Sequence, residues 1–194
     1  MSKLEANFKH GAAGEALIAR YLDGREDVAG YIKHCDGGGD GAPMMSIAGS
    51  QQEILPDFEV FRRDGSSYWL ELKSYDSAAY NRNRAERVHG IAERQMQSYG
   101  EVEKATGRPV WIAVLTLRDG ALRWLSLKDI LEIAWACECA GCRDGPSCKN
   151  KEPLMYCPAD RMELIHRFER ADLVVVDRAQ ASARLPILGG GERA

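Results

Sequence analysis

The stretch Pro56-Asp57-Phe58-Glu59-Val60-Phe61-Arg62-Arg63-Asp64-Gly65-Ser66-Ser67-Tyr68-Trp69-Leu70-Glu71-Leu72-Lys73-Ser74 decides the fold. Two runs rich in β-forming residues flank Asp64-Gly65-Ser66-Ser67, a turn signal. This predicts a hairpin, extended from Ile54 to Arg63 and again from Tyr68 to Ser74. Glu71 and Lys73 stand two apart on a strand, so their side chains share a face. Asp57 joins that face only if paired residue numbers sum to an even value. A loop of Asp64-Gly65-Ser66, with Arg63 opposite Ser67, supplies that parity; a bare two-residue turn does not, unless a bulge intervenes.

Two carboxylates and an ammonium on one sheet face are costly to bury without a task. Around a divalent cation the two carboxylates no longer repel, and oxygen ligands of this kind suit Mg²⁺ or Mn²⁺. Such an ion can hold a phosphate oxygen, lower the pKa of a bound water and stabilise the charge of an in-line displacement. The lysine can orient that water or neutralise the transition state. The bland reading is a solvated edge hairpin, since Glu-x-Lys is common. The Pro-Asp pair at a hairpin-compatible distance favours the catalytic one.

Working outward, apolar spacing predicts a helix from about Asn7 to Leu22 and a short strand over Val28 to Cys35. Gly37 to Pro43 reads as a connector, with no phosphate-loop spacing. A polar, arginine-bearing helix is predicted from about Asn83 to Thr106, stopped by Gly107 and Pro109. Val110 to Leu117 reads as a strand covered on both faces. Asp119-Gly120 turns into Leu122 to Leu125, and Ser126 caps a helix running through Trp135. Leu173 to Val176 is a further strand, and Gly189 to Ala194 a loose tail.

The chain has 194 residues, 45% apolar and 28% charged, with a net charge of −3. This excludes a mainly disordered chain, a collagen and a minimal disulfide scaffold. A bulk-basic nucleic-acid coat is also excluded, although a nucleic-acid enzyme needs only a local field. No apolar run is long enough to span a bilayer and the N-terminus carries charges where a signal peptide needs apolar residues, so a cytoplasmic location without a membrane partner is the expectation.

Pro56-Asp57 followed by Glu71-Leu72-Lys73 resembles the PD-(D/E)XK nuclease superfamily, over about residues 7 to 117. The resemblance implies an α/β, restriction-endonuclease-like core: a central mixed β-sheet flanked by helices, in the order α-β-β-β-α-β. Carried over, Asp57 and Glu71 are metal ligands, Lys73 is the catalytic lysine and the Leu72 carbonyl is a further ligand. Gly11-Ala12-Ala13-Gly14-Glu15 and Glu71-Leu72-Lys73-Ser74 resemble archaeal Holliday junction resolvases, in which a helix glutamate, here Glu15, completes the metal shell. Gln95-Met96-Gln97-Ser98-Tyr99 resembles the Q-x-x-x-Y motif of RecB-like nucleases, with Gln95 and Tyr99 supporting the site. Gln97 competes if the helix is rotated. Many members act as dimers, so a homodimer is compatible with the resemblance.

Arg82, Arg84, Arg87 and Arg94 follow the catalytic strand, against Glu86 and Glu93. Their forks suit nucleic-acid phosphates, the alternative being a solvated helix face with local ion pairs. Five of the six cysteines lie between Cys137 and Cys157. Cys139-x-x-Cys142 forms one metal knuckle, which Cys148 and Cys157 complete as a structural Zn²⁺ site, with Cys137 as substitute. Cys139-x-x-Cys142-x5-Cys148 also resembles the cysteine triad of iron–sulfur RecB-like nucleases, for which Cys35 would be the fourth ligand of a 4Fe-4S cluster; zinc is favoured.

The expected organisation is a nuclease core over 1–136, a Cys-rich metal-binding insert over 137–157, C-terminal elements packing on the core over 158–188, and the tail. The expected activity is Mg²⁺-dependent hydrolysis of DNA phosphodiester bonds by metal-activated water. The alternatives are a non-catalytic nucleic-acid-binding scaffold on the same fold and an RNA-directed nuclease.

Overall fold

A computed structural model describes residues 3–34, 43–47, 52–139 and 152–173. Cys35, Cys142, Cys148, most of the glycine-rich connector, the strand read at Val174 to Val176 and the tail lie outside the described residues. The chain runs through α1 (Lys3–Asp23), β1 (Val28–Lys33), β2 (Met44–Ser46), β3 (Gln52–Ile54), β4 (Phe58–Arg62), β5 (Ser67–Tyr75), β6 (Ala79–Asn81) and β7 (Glu86–Ala92). It continues through α2 (Glu93–Thr106), β8 (Val110–Thr116), β9 (Ala121–Ser126), α3 (Leu127–Ile133), β10 (Trp135–Ala136), β11 (Leu154–Pro158), a 3-10 turn (Ala159–Arg161) and β12 (Glu163–Arg167).

The main sheet has six strands in the order β1-β4-β5-β8-β9-β12. Neighbours are antiparallel except β5 and β8, which run parallel. A parallel pair needs a crossover, and the segment holding α2 supplies it. Counting only the main sheet, helix α1, strands β1, β4 and β5, helix α2 and strand β8 follow one another in the order the sequence resemblance implies, with the seven-residue β7 of the second sheet as an addition before α2. A second sheet, β10-β11-β7-β6, carries the returning chain.

Alternation along β5 makes two cores. Leu70 and Leu72 face α1 and pack with Leu17, Ile18, Phe58, Val60, Ala113 and Leu115. Trp69 faces the other way and packs with Met96, Tyr99 and Val102 of α2 and with Leu127 and Ile130 of α3. Helix α1 lies close on β5 because Gly14 has no side chain: a Cβ there would collide with the Ser74 hydroxyl and meet Leu72 Cδ2 at 3.1 Å. Gly107 ends α2 in a left-handed conformation with φ 66°, its N–H donating to the Glu103 carbonyl.

Two elements differ from the sequence reading. The helix expected from Asn83 begins only at Glu93; residues before it form the β6–β7 hairpin. The Asn81 side chain accepts from the N–H groups of Asn83 and Arg84, at 3.0 and 3.2 Å, which fixes a turn where helix propensity would continue. The helix expected to run through Trp135 ends at Ile133, and Trp135 pairs with Tyr156 in the second sheet. Ser126 does cap α3, its hydroxyl accepting from Asp129 N–H at 3.1 Å. Among the described residues, no helix is long and apolar enough to cross a membrane.

Candidate active site

Register brings the acidic residues together. Phe58 faces Leu70 and Phe61 faces Ser67, so paired numbers sum to an even value and Asp57, one step beyond, falls opposite Glu71. The pairing of Arg63 with Ser67 does not occur. The turn is wider: Arg62 N–H donates to the Ser66 carbonyl at 2.8 Å, and Asp64 Oδ1 accepts from Ser66 N–H at 2.8 Å. Gly65 takes φ 86°, which its lack of a side chain permits. Parity survives because the partner of Ser67 moves by two residues, from Arg63 to Phe61.

The Asp57 carboxylate takes the place of a ladder carbonyl, Oδ2 accepting from Leu72 N–H at 2.8 Å. Within a strand a residue's N–H and C=O point to the same side, so the Leu72 carbonyl also faces the gap before β4. Glu71 is only 3% exposed. Its Oε1 lies 2.6 Å from Lys73 Nζ, while its Oε2 is buried without a hydrogen-bond partner. Lys73 donates onward to Gln95 Oε1 at 2.8 Å. Burial works against the lysine charge, but the adjoining Glu71 carboxylate prevails and holds its pKa above the ordinary value. Burial, and after it the Glu71 charge, push Asp57 up to about 8; Leu72 N–H and Lys73 pull the other way, and Glu15 adds to the rise. Asp57 therefore feels both neighbouring carboxylates, while Lys73 and Lys33 each lie against one of those two.

Glu15, on α1, is the third carboxylate. Its Oε2 sits 2.9 Å from Lys33 Nζ at the end of β1. Sequence reasoning missed Lys33; its only signal was a cation at the end of the strand before the glycine-rich connector. The structure selects Gln95 over Gln97, which is exposed and turns toward Glu93. Tyr99, one turn on, is 1% exposed and packs in the α2 core, so it stands behind the site rather than in it.

These residues fit a hard divalent cation. An unpartnered buried carboxylate oxygen, a second carboxylate and a strand carbonyl are a donor set that such an ion satisfies. Glu71, Asp57 and the Leu72 carbonyl would hold it, with Glu15 turned to Lys33 nearby and Lys73 and Gln95 beside it.

The arginines take places other than one helix face. Arg82 and Arg84 are exposed on the β6–β7 turn, Arg87 is exposed on β7, and Arg94 is exposed on α2. Arg84 pairs with Glu138 at 3.0 Å and lies 4.1 Å over the Trp135 ring. Of the cysteines expected to hold one ion, Cys142 and Cys148 lie outside the described residues, and those described do not stand together. Cys157 pairs with His89 across β11 and β7 and packs into the α2 core, where burial pushes its thiol up to about 12. Cys137 and Cys139 line a cleft with Val88 and Tyr156, residues of the opposite face of that sheet. Strand alternation thus removes Cys157 from the expected ligand set. Among the described residues, no group of three or more His, Cys, Asp or Glu side chains is placed to hold one metal ion.

No family model matches the chain, and no curated protein matches it. Solved structures to which the chain is similar include Hjc, a Holliday junction resolvase from the archaeal hyperthermophile Archaeoglobus fulgidus. It is 12% identical, with TM-score 0.44, over 76% of this chain and 87% of that one. D212, a nuclease from a fusselovirus, is 12% identical, with TM-score 0.37, over 66% of this chain and 68% of its own.

Proposed function

We propose that the chain is a divalent-metal-dependent nuclease that hydrolyses DNA phosphodiester bonds. The observation that carries this reading is the convergence of Asp57, Glu71 and Lys73 on one sheet face, with one Glu71 oxygen buried and unpartnered. A purely structural ion pair would have no use for the second and third carboxylates, which only raise the cost of burial.

When bound, Mg²⁺ or Mn²⁺ would supply Lewis-acid polarisation of the phosphate and a more acidic water. The chain's own groups do the rest. Gln95 and Glu71 fix the Lys73 ammonium from two sides, so it meets the substrate already oriented. From there Lys73 donates to an oxygen that gains negative charge as the phosphorus–oxygen bond breaks. Asp57 is held rigid by Leu72 N–H, and Glu15 closes the site from α1. Among the described residues, the exposed arginines suit backbone contacts, so recognition by backbone and shape fits better than recognition by sequence.

The test is cleavage of a labelled DNA duplex and a branched DNA by the full chain with Mg²⁺, with EDTA as control and an RNA duplex in parallel. Cleavage that EDTA stops, and that Asp57→Ala or Lys73→Ala abolishes with the fold intact, is the expected result. Cutting by either variant at the parent rate sinks the assignment. Cutting of RNA alone moves the substrate to RNA.

A further inference from the structure

A second cavity, of about 400 Å³, opens at the end of the main sheet where β5 and β8 stop. Asp76, Arg87, His89, Arg118, Asp119 and Arg123 contribute to its wall. It lies on the same face as the carboxylate–lysine cluster. Lys73 faces Val114 across β5 and β8, and Val114 faces Arg123 across β8 and β9. Two strand spacings put the Lys73 and Arg123 backbones about 10 Å apart. Tyr75, two residues beyond Lys73, stacks on His89 at 5.2 Å and separates the two places.

His89 is the unusual member. It is 2% exposed, and neither ring nitrogen has a hydrogen-bond partner. A buried imidazole without partners carries a full desolvation cost that a ligand would relieve. Burial, and after it the charge of Arg123, push its pKa down to about 4, so the ring is neutral and offers one N–H.

The charges around it are unevenly committed. Asp119 accepts from the Thr116 hydroxyl and from Ala121 N–H, and faces Arg167 at 3.6 Å. Asp76 pairs with Arg118 at 3.3 Å. Among the described residues, Arg87 and Arg123 form no ion pair, and the remaining unpaired acid at the wall is Asp160. The lining itself balances three arginines against three aspartates; Arg167, which faces Asp119 from outside the wall, brings the local balance to one positive charge, with Arg123 also acting on Asp119. Arg87, Arg123 and His89 bring donors to this wall that no ion pair or hydrogen bond among the described residues engages. It suits a singly charged anion rich in oxygen, and its volume leaves room for more than the anion itself.

We infer that this cavity binds a phosphodiester group of a bound nucleic acid, held by Arg87 and Arg123 with His89 donating from the floor. It would catch the strand one step away from the cluster that cuts it, and so decide which bond is presented. The inference rests on the nuclease reading only for the source of the phosphodiester; the anion site stands on its own residues.

The test uses the full chain in EDTA, so that nothing is cut. The probes are a thymidine octamer and, separately, inorganic phosphate; the readout is the NMR signal of the His89 ring, assigned by its loss in His89→Phe. The octamer is expected to shift that signal, and Arg123→Gln to weaken the octamer's half-saturation by about tenfold with an unchanged melting temperature. Lys73→Ala is expected to keep the shift. No shift with the octamer overturns the inference, whether or not inorganic phosphate produces one, and so does an Arg123→Gln titration identical to the parent's. DNA cleavage without a His89 response defeats this inference and spares the nuclease reading. A His89 response in a chain that cuts no DNA does the reverse.

Discussion

The β4–β5 and β6–β7 hairpins both carry charged side chains on alternating strands, to opposite ends. In β5 both faces are covered: leucines meet α1, while Trp69, Glu71 and Lys73 lie under α2. Its charges survive burial because Glu71 and Lys73 neutralise each other at 2.6 Å. In β6–β7 the arginines ride on the turn and on β7, open to solvent, and Arg84 shares an ion pair with a similarly open glutamate. Charge held inside a fold is coupled, expensive and sensitive to its neighbours; charge on a hairpin tip is screened and close to additive.

The sharpest way to break this contrast is to remove the buried cation. Lys73→Met keeps the length of the side chain and deletes its charge. Glu71 is then buried without its partner, which costs about 3–5 kcal/mol of stability when such pairs are broken from one side. Cleavage is expected to fall by a factor on the order of 10² or more, as when an oriented donor is lost. Urea denaturation and single-turnover cleavage check the two effects separately. A variant as stable as the parent would mean that Glu71 is not confined as its burial implies.

Asp57→Asn tests the same cluster from the acid side. A free aspartate titrates near 3.9, whereas in the folded chain Asp57 is pushed up to about 8. Between those values the folded state binds a proton that the unfolded state has released. Metal-free stability therefore falls as pH rises through that window. Asparagine can still accept from Leu72 N–H and carries no charge. It is expected to stabilise the metal-free protein at pH 8 by at least about 1 kcal/mol, to do little near pH 4, and to cut no DNA. Urea midpoints in EDTA at the two pH values settle it; equal slopes for parent and variant would contradict the raised pKa.

The first hairpin was legible in the sequence for a physical reason. Its turn residues separate two β-rich runs, and the demand that Asp57 share a face with Glu71 and Lys73 leaves only even registers, although not the exact one. The second was not. Arg82, Arg84, Ala85 and Glu86 are tolerable helix formers, and they lead directly into the real helix at Glu93. The evidence against a helix was local: Asn81 and Asn83 as turn formers, and Gly90, whose missing side chain leaves room for the Tyr156 ring 3.2 Å from where a Cβ would stand. That requirement comes from β11, some sixty residues later in the chain, and no local window contains it. Cys157 was misread for the same reason. Its spacing from Cys148 suggested a ligand, but strand alternation in β11 turns it into the core. Lys33 was invisible because its partner, Glu15, meets it through the packing of α1 alone.

That packing can be loosened without touching a charged group. Gly14→Val places a branched side chain against Ser74 and Leu72, where even a Cβ is too close. Overpacking of this kind costs about 1–3 kcal/mol. Since Glu15 rides on the same turn of α1, cleavage is expected to fall together with stability. Full cleavage from a clearly destabilised variant would remove Glu15 from the site while leaving Asp57, Glu71 and Lys73 in it.

The smallest expected effect belongs to the exposed hairpin. Arg84→Ala gives up an ion pair whose partners are 42% and 52% exposed, and a stacking contact over Trp135. Solvent screening limits the stability loss to under about 1 kcal/mol. If the tip touches a DNA backbone, affinity falls several-fold for every sequence alike, and the slope of log affinity against log salt becomes shallower by about one. An unchanged slope would confine Arg84 to the Glu138 and Trp135 contacts, and the difference between the two hairpins would then be one of function as well as of burial.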